Sequence, residues 1–395
     1  MRVGVIGLGR AALQMLPSLI GHPDIEVVAV ADPRPEAVDD FLALFPGTLG
    51  YSTGEALCKT APVEAVYIAT PHATHAPLTV LAAHSGKHVL VEKPMALSIA
   101  ECEAMIKAAQ ANGVMLVVGP SHAFDAPVRE AARLVSSGQW GRPLLFHLFN
   151  YTDFLYRPRR VDELQPGPAG GILFNQLPHQ VDILRTLHPI SIRAVTAVLG
   201  GWDPGRPTEG AVQALLEFED GAAASLVYSG YAHFDSDRWS SGVGEDGLVK
   251  PGCDWRFIGA RSQLAGVAGK DESSLRLDRG FSRANWEREL ARAAQPHFHP
   301  HFGQVLVSCE KGDVLVEPSG VAIYGDASYE RIILVPPKVA FDKTGAVEEW
   351  YQAVVEGKPP LHDGRWGLET VAICEAVMVA GRNRLRLELS PKAEG

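Results

Sequence analysis

Over the first 120 positions, short runs of apolar and β-branched residues recur at near-regular intervals, at residues 3–6, 25–31, 65–69, 88–91 and 115–118. Runs this short and this free of polar interruption predict strands buried on both faces. Between them, residues 11–20, 36–45, 77–84 and 100–111 place apolar side chains at helical spacing. Ser98 followed by Glu101 writes a capping box at the start of the last of these helices. Strand and helix alternating at this pitch predict a parallel, doubly wound sheet. From about residue 121 the rhythm changes. Strand-like runs at 144–149, 192–199, 212–218 and 223–228 follow one another through hairpin-type connections such as Glu219-Asp220-Gly221. One helical stretch, 174–187, interrupts them, and two more, near 347–356 and 367–380, close the chain. Strands without intervening helices predict a largely antiparallel sheet.

The length of 395 residues suits two domains, expected here over 1–120 and 121–395. With 46% hydrophobic and 21% charged residues the composition is that of a folded chain. A formal net charge of −10 repels phosphate backbones and anionic lipid, so neither nucleic acid nor a membrane is expected as partner. No stretch approaches the length of an apolar membrane span. The apolar start at 3–6 runs into glycines instead of a secretory signal's long apolar region. Five scattered cysteines (Cys58, Cys102, Cys253, Cys309, Cys374) show neither metal nor disulfide spacing, which fits a reducing cytoplasm.

Chemistry enters at the turns. Gly7, Gly9 and Ala12, with Arg10 and Ala11 between them, form a G-x-G-x-x-A step between the first strand and the first helix. Such a step makes a tight turn, brings backbone close to a pyrophosphate and lets helix pack on sheet. The second strand ends at Asp32, where a carboxylate accepts the hydroxyls of an adenosine ribose. These features predict a Rossmann-type dinucleotide site. Arg34, two residues on, faces either a 2′-phosphate or solvent; because Asp32 repels that phosphate, NAD is expected, with NADP as the alternative. Two further turns fall at the carboxyl ends of strands, where open α/β sheets bind ligands. They are Thr70-Pro71-His72-Ala73-Thr74-His75 and Glu92-Lys93-Pro94, and an ammonium at Lys93 would stabilise the alkoxide-like charge of hydride transfer.

The glycine turn, the T-P-x-x-x-H stretch and the E-K-P step together resemble the Gfo/Idh/MocA oxidoreductase family, over nearly the whole chain. The resemblance implies a Rossmann domain followed by an α+β domain whose open sheet forms a homo-dimer or homo-tetramer. It also implies that Thr70, Pro71, His72, His75, Glu92 and Lys93 border the cofactor. The family's G-G-x-x-x-D-x-x-x-H-x-x-D pattern falls at Gly170 to Asp182, so that His179 matches its catalytic histidine. An imidazole with a pKa near 6.5 suits removal of a hydroxyl proton. Asn175 stands where the family has aspartate; it can hydrogen-bond but is no base. If the helix begins at 174, Asn175 and His179 share a face at i and i+4.

A narrower stretch, Asn150 to Arg160 together with Ser121 to Asp125, looks like the phthalate 4,5-cis-dihydrodiol dehydrogenase branch of that family. Its His122, Tyr156, Arg157, Arg159 and Arg160 are expected to meet the substrate, the guanidinium forks pairing with the carboxylates of an aromatic dicarboxylate. The competing expectation is a basic loop paired with its own Asp162 and Glu163. The reaction implied is oxidation of a carboxylated cis-dihydrodiol to a catechol. Two other functions compete, a sugar or cyclitol dehydrogenase and a protein that senses NAD(P) without turnover. Two features stay outside this scheme: the imidazoles of His297, His299 and His301, which invite a metal but lack a carboxylate or thiolate companion, and residues 235–254, read as a long loop over the site or at a subunit contact. No metal is expected.

Overall fold

The computed structural model describes residues 1–167, 170–250, 260–266, 271–295 and 297–389. They fall into two compact units. The first comprises Met1–Pro120, Asp271–Gln295 and Phe341–Ala372, the second Ser121–Lys270, Pro296–Ala340 and Ile373–Gly395.

In the first unit six strands, β1 (Arg2–Ile6), β2 (Glu26–Ala31), β3 (Leu49–Tyr51), β4 (Ala65–Ile68), β5 (His88–Val91) and β6 (Leu116–Val118), form an all-parallel sheet in the order β3-β2-β1-β4-β5-β6. The order reverses between β1 and β4, so the crevice for a ligand opens at the carboxyl ends of those two strands. Five strands and four helices lie where the apolar pattern puts them. Ser98 accepts a hydrogen bond from the Glu101 backbone at 3.3 Å, as the capping box requires. β3 and the following helix, Gly54–Thr60, escaped the pattern because β3 is three residues long with its first two side chains exposed.

The chain beyond Pro120 is divided between the two units. Residues 271–295 and 341–372 return to the first unit because their apolar side chains join its core. Phe281 packs on Phe41 with ring centroids 5.0 Å apart, and Trp286 meets Phe45 at 5.6 Å. Val347 and Trp350 of the helix Thr344–Val355 are fully buried in the same cluster. Each such side chain stabilises the unit by roughly 2 kcal/mol.

In the second unit β7 (Pro143–Tyr151), β8 (Ile192–Gly200), β9 (Ala211–Phe218), β10 (Ala223–Ser229), β11 (Gln304–Cys309), β12 (Gly312–Glu317), β13 (Gly320–Gly325), β14 (Tyr329–Ile333) and β15 (Arg386–Glu388) make one sheet. Its order is β14-β13-β12-β11-β7-β10-β9-β8-β15. Every pairing is antiparallel except β7 with β10. The helix Ala126–Ser136 packs on β12 and β13, and the helix Leu177–Leu187 on β7 and β10. Side chains therefore alternate: Ala214, Leu216 and Phe218 of β9 are buried, whereas Leu215 stands 47% exposed.

The interrupting helix starts at Leu177, three residues later than its apolar pattern suggests. Pro178 sits in its first turn, where a missing N–H costs nothing, and residues 171–176 form turns before it. Among the described residues no helix is long and apolar enough to cross a membrane.

Candidate active site

In the first unit, Gly7 has φ +92°, and a Cβ there would lie 2.7 Å from the Ala69 carbonyl oxygen. Only glycine makes this turn. Gly9 differs: a Cβ on it would meet nothing nearer than 3.9 Å, so protein packing does not demand a glycine there. It precedes the helix Arg10–Ile20 and supplies no side-chain cap to it, while Ala11 is half-buried and Ala12 wholly buried. An open approach to a helix N-terminus, next to an acid at the end of β2, fits the pyrophosphate and ribose of a dinucleotide.

Asp32 is fixed in place by the glycine turn and by Arg34. Its Oδ2 accepts the Leu8 N–H at 2.7 Å, and its Oδ1 accepts the Arg34 N–H at 3.0 Å and Nε at 2.9 Å. The same guanidinium donates to the carbonyls of Leu8 (2.9 Å) and Leu277 (3.3 Å), and Phe281 N–H also reaches Leu8 O at 2.8 Å. Arg34 is therefore turned inward, binding the glycine turn to the 271–295 segment, and does not stand as a ready phosphate ligand. Arg10 lies 3.8 Å from Glu289 of that segment.

At the end of β4 the Thr74 hydroxyl lies 2.7 Å from both the Thr70 hydroxyl and the Pro71 carbonyl, which closes this turn with His72 half-buried on it. His75, expected at the cofactor, is fully buried instead. Its ring nitrogens lie 2.9 Å from the carbonyls of Thr70 and Pro94, making it a strut between the two functional turns. Glu92 is likewise buried, and its Oε1 accepts the Tyr67 hydroxyl at 2.6 Å. Burial pushes this carboxyl above the usual range, against the opposing pull of Lys93 and Tyr67. Lys93 is partly exposed at the top of that arrangement.

In the second unit the helix Leu177–Leu187 presents His179 in its first turn. Asn175 precedes the helix, so the expected i, i+4 pairing on one face does not form. Its amide donates to Gly171 O at 2.8 Å and ties down the glycine turn. Asp182 lies 4.0 Å from Arg185. Against His179 pack two rings: His122 with centroids 4.9 Å apart, and Phe302 at 4.7 Å. His122 Nδ1 is 2.6 Å from the Asp125 carboxylate, and Tyr228 stacks on Phe302. The spacing of His122 and Asp125 was readable in the sequence. Phe302 and Tyr228 carried no signal of their own, because β10 and the residues just before β11 bring them in from far along the chain.

The arginines of the 157–160 stretch are each held by protein partners. Arg157 Nε bonds Asp153 at 2.7 Å and its Nη2 lies 3.8 Å from Glu245. Arg159 is buried, donates to Phe154 O at 2.8 Å and lies 3.5 Å above the Phe154 ring. Arg160 grips Asp162 through two bonds of 3.0 and 3.1 Å and approaches Glu163 at 3.7 Å. All three guanidinium groups thus have acceptors within the protein, as groups partly withdrawn from water require whether or not a ligand is present. Burial raises the Asp153 carboxyl, but the charge and hydrogen bond of Arg157 outweigh it and hold the group below its ordinary 3.8. Tyr156 donates to Asp203 at 2.6 Å, and its ring lies under Arg261, which with Trp202, Tyr231 and Asp203 lines a cavity of about 680 Å³ in this unit.

Of the three clustered imidazoles, His297 bonds the Pro337 carbonyl at 2.6 Å and His301 the Val243 carbonyl at 2.8 Å. Among the described residues no group of three or more His, Cys, Asp or Glu side chains is placed to hold a metal. In the stretch read as a loop, Asp235, Ser236 and Asp237 are buried, and Lys250 closes on both acids at 2.5 and 2.6 Å. Residues 251–254, and with them Cys253, lie outside the described residues.

Comparison with known proteins bears on both units. Residues 1–120 match the model of an oxidoreductase family with an NAD-binding Rossmann fold, and residues 128–250 match the GFO/IDH/MocA C-terminal domain. The chain is 39% identical to the 1-carboxy-3-chloro-3,4-dihydroxycyclohexa-1,5-diene dehydrogenase of Comamonas testosteroni, over 98% of this chain and 96% of that one. It is 28% identical to the NAD(+)-dependent scyllo-inositol 2-dehydrogenase of Bacillus subtilis, over 63% of this chain and 72% of that one. A crystal structure from Bordetella bronchiseptica RB50 superposes with a TM-score of 0.90 at 38% identity, covering 98% of this chain and all of that one (100%).

Proposed function

The chain belongs to the Gfo/Idh/MocA oxidoreductase family, and from that premise we propose that it is an NAD-dependent dehydrogenase acting on a carboxylated cyclohexadiene that bears vicinal cis hydroxyls. The observation that carries this reading is the near full-length similarity to a dehydrogenase whose named substrate is a carboxylated dihydroxycyclohexadiene.

When bound, NAD+ accepts a hydride from the carbinol carbon. Gly7, Gly9 and the first turn of the helix Arg10–Ile20 would hold its pyrophosphate, and Asp32 its adenosine ribose. Lys93 donates a hydrogen bond to the alcohol oxygen and favours its developing negative charge. His179 takes the hydroxyl proton. Asn175 acts through the backbone it ties down, which leaves proton transfer to His179. The diol and NAD+ give a hydroxyketone, NADH and a proton; the hydroxyketone then shifts a proton from carbon to oxygen and becomes a catechol. Aromatisation draws the reaction forward.

The test is NAD+ reduction, followed at 340 nm, with carboxylated cis-dihydrodiols and with cyclitols. Turnover of the dihydrodiols with catechol formation supports the proposal; turnover of cyclitols alone overturns it in favour of the polyol reading, which the inositol dehydrogenase relative recommends. His179→Ala and Lys93→Ala should each lower kcat by roughly a hundredfold or more.

We also place the protein in a reducing cytoplasm, in keeping with the free thiols of Cys58, Cys102, Cys309 and Cys374. We assign it a homo-dimer or homo-tetramer built on the open sheet face, where Leu145, Val198 and Leu215 are 46%, 66% and 47% exposed. Sedimentation of the wild type beside Leu215→Lys tests the assembly.

A further inference from the structure

One imidazole is enough to take one hydroxyl proton, yet the second unit sets two side by side. His122 lies on the turn His122–Phe124 and His179 on the helix Leu177–Leu187, and these elements pack together. Their rings meet at 66° with centroids 4.9 Å apart. Both lean on Phe302, at 5.2 and 4.7 Å, and Phe302 is itself stacked on Tyr228 at an interplanar angle of 14°. At 7% and 8% exposure the two imidazoles are enclosed without being sealed.

The two rings are not equivalent. His122 Nδ1 lies 2.6 Å from the Asp125 carboxylate, which is 6% exposed. An ionised carboxylate only accepts, so Nδ1 carries the hydrogen of this bond, and in the neutral ring Nε2 is left as an acceptor. Asp125 thus sets both the plane and the tautomer of His122. A fixed acceptor beside a catalytic base, backed by a flat aromatic wall, complements two hydroxyl donors on neighbouring carbons of one ring face.

We propose that His122, held by Asp125, determines specificity for a vicinal cis-diol. His179 takes the proton of the hydroxyl being oxidised, while His122 Nε2 accepts a hydrogen bond from the adjacent hydroxyl on the same face. No proton is transferred at His122; Asp125 is a positioning residue. The inference rests on the diol reading above and adds the group that recognises the second hydroxyl.

The experiment compares kcat/KM for the cis-diol, its trans isomer and the analogue lacking the second hydroxyl, in the wild-type enzyme, His122→Ala, His122→Gln and Asp125→Asn. A buried acceptor deprived of its donor is costly. The wild type should therefore favour the cis-diol over both analogues by roughly a hundredfold. His122→Ala should lose most of that preference, chiefly through KM, with a clearly smaller loss on the deoxy analogue than on the cis-diol. His122→Gln, which keeps an acceptor oxygen, should restore part of the preference. Asp125→Asn should fall between His122→Ala and the wild type.

Equal losses on diol and deoxy analogue would make His122 merely structural and overturn the inference, as would an unchanged preference in His122→Ala. Failure of the parent reading looks different: no carboxylated dihydrodiol is turned over, and the same comparison, run on a cyclitol with a cis vicinal pair and its deoxy counterpart, still decides the role of His122.

Discussion

The glycine turn at residues 7–12 and the arginine loop at 157–160 were equally suggestive as strings of letters, and the structure treats them oppositely. The turn does what its residues imply because its requirements are local. A φ of +92° at Gly7 and a neighbouring carbonyl 2.7 Å from the missing Cβ are set by a few adjacent bonds and one neighbouring strand. The arginines each had several candidate partners, near and far in the chain. Charge alone could not show that Arg157 would be flanked by Asp153 and Glu245, the latter 88 positions away (245 − 157), or that Arg159 would settle on the Phe154 ring. A residue with one conformational option reads directly from sequence, whereas a charged side chain with many candidate partners does not.

The sharpest way to break this comparison lies within the turn. Gly7→Ala forces both a strained φ and a clash with the Ala69 carbonyl, and should destabilise the first unit by roughly 3 kcal/mol or more. Gly9→Ala meets no atom closer than 3.9 Å. It should melt within a few degrees of the wild type yet weaken NAD binding about tenfold. Thermal melts and NAD titrations of both variants separate a glycine the fold needs from one the ligand needs; equal melting temperatures would erase the distinction.

Next in size is Arg157→Ala, which strands the carboxylates of Asp153 and Glu245 and should cost about 2 kcal/mol of stability. Its KM should change by the same factor for a carboxylated diol and an uncharged one. A selective rise for the carboxylated substrate would return Arg157 to the role the sequence suggested.

The same pair has a pH signature. The folded carboxyl of Asp153 titrates below its ordinary 3.8, so its contribution is complete above that value and disappears as pH falls through the lower folded one. The gap in chemical-denaturation stability between wild type and Asp153→Asn should therefore be level at neutral pH and close in strong acid. A gap unchanged across that range would show that the pair contributes nothing. Smallest of all is Arg160→Ala: Asp162 is half-exposed, and loss of this bridge should move stability by no more than about 0.5 kcal/mol in a denaturant titration.

Hydrophobic periodicity alone determined the doubly wound first domain and the antiparallel character of the second, because buried runs and alternation are properties of neighbouring residues. The turns bearing Gly7, Asp32 and Lys93 were legible for the same reason: each lies at a strand end. Three features were decided only by tertiary structure. Residues 271–295 rejoin the first unit because Phe281 and Trp286 find their burial there. Asn175 leaves the helix that its spacing had placed it on, since Pro178 fits the first helical turn and Asn175 bonds Gly171 before it. His122 acquires meaning from Asp125, His179 and Phe302, brought together by packing across some 180 positions of chain (302 − 122). Backbone preferences and periodicity are short-range and survive in a string of letters; the partners of a buried charge, imidazole or aromatic ring exist only once distant segments have packed.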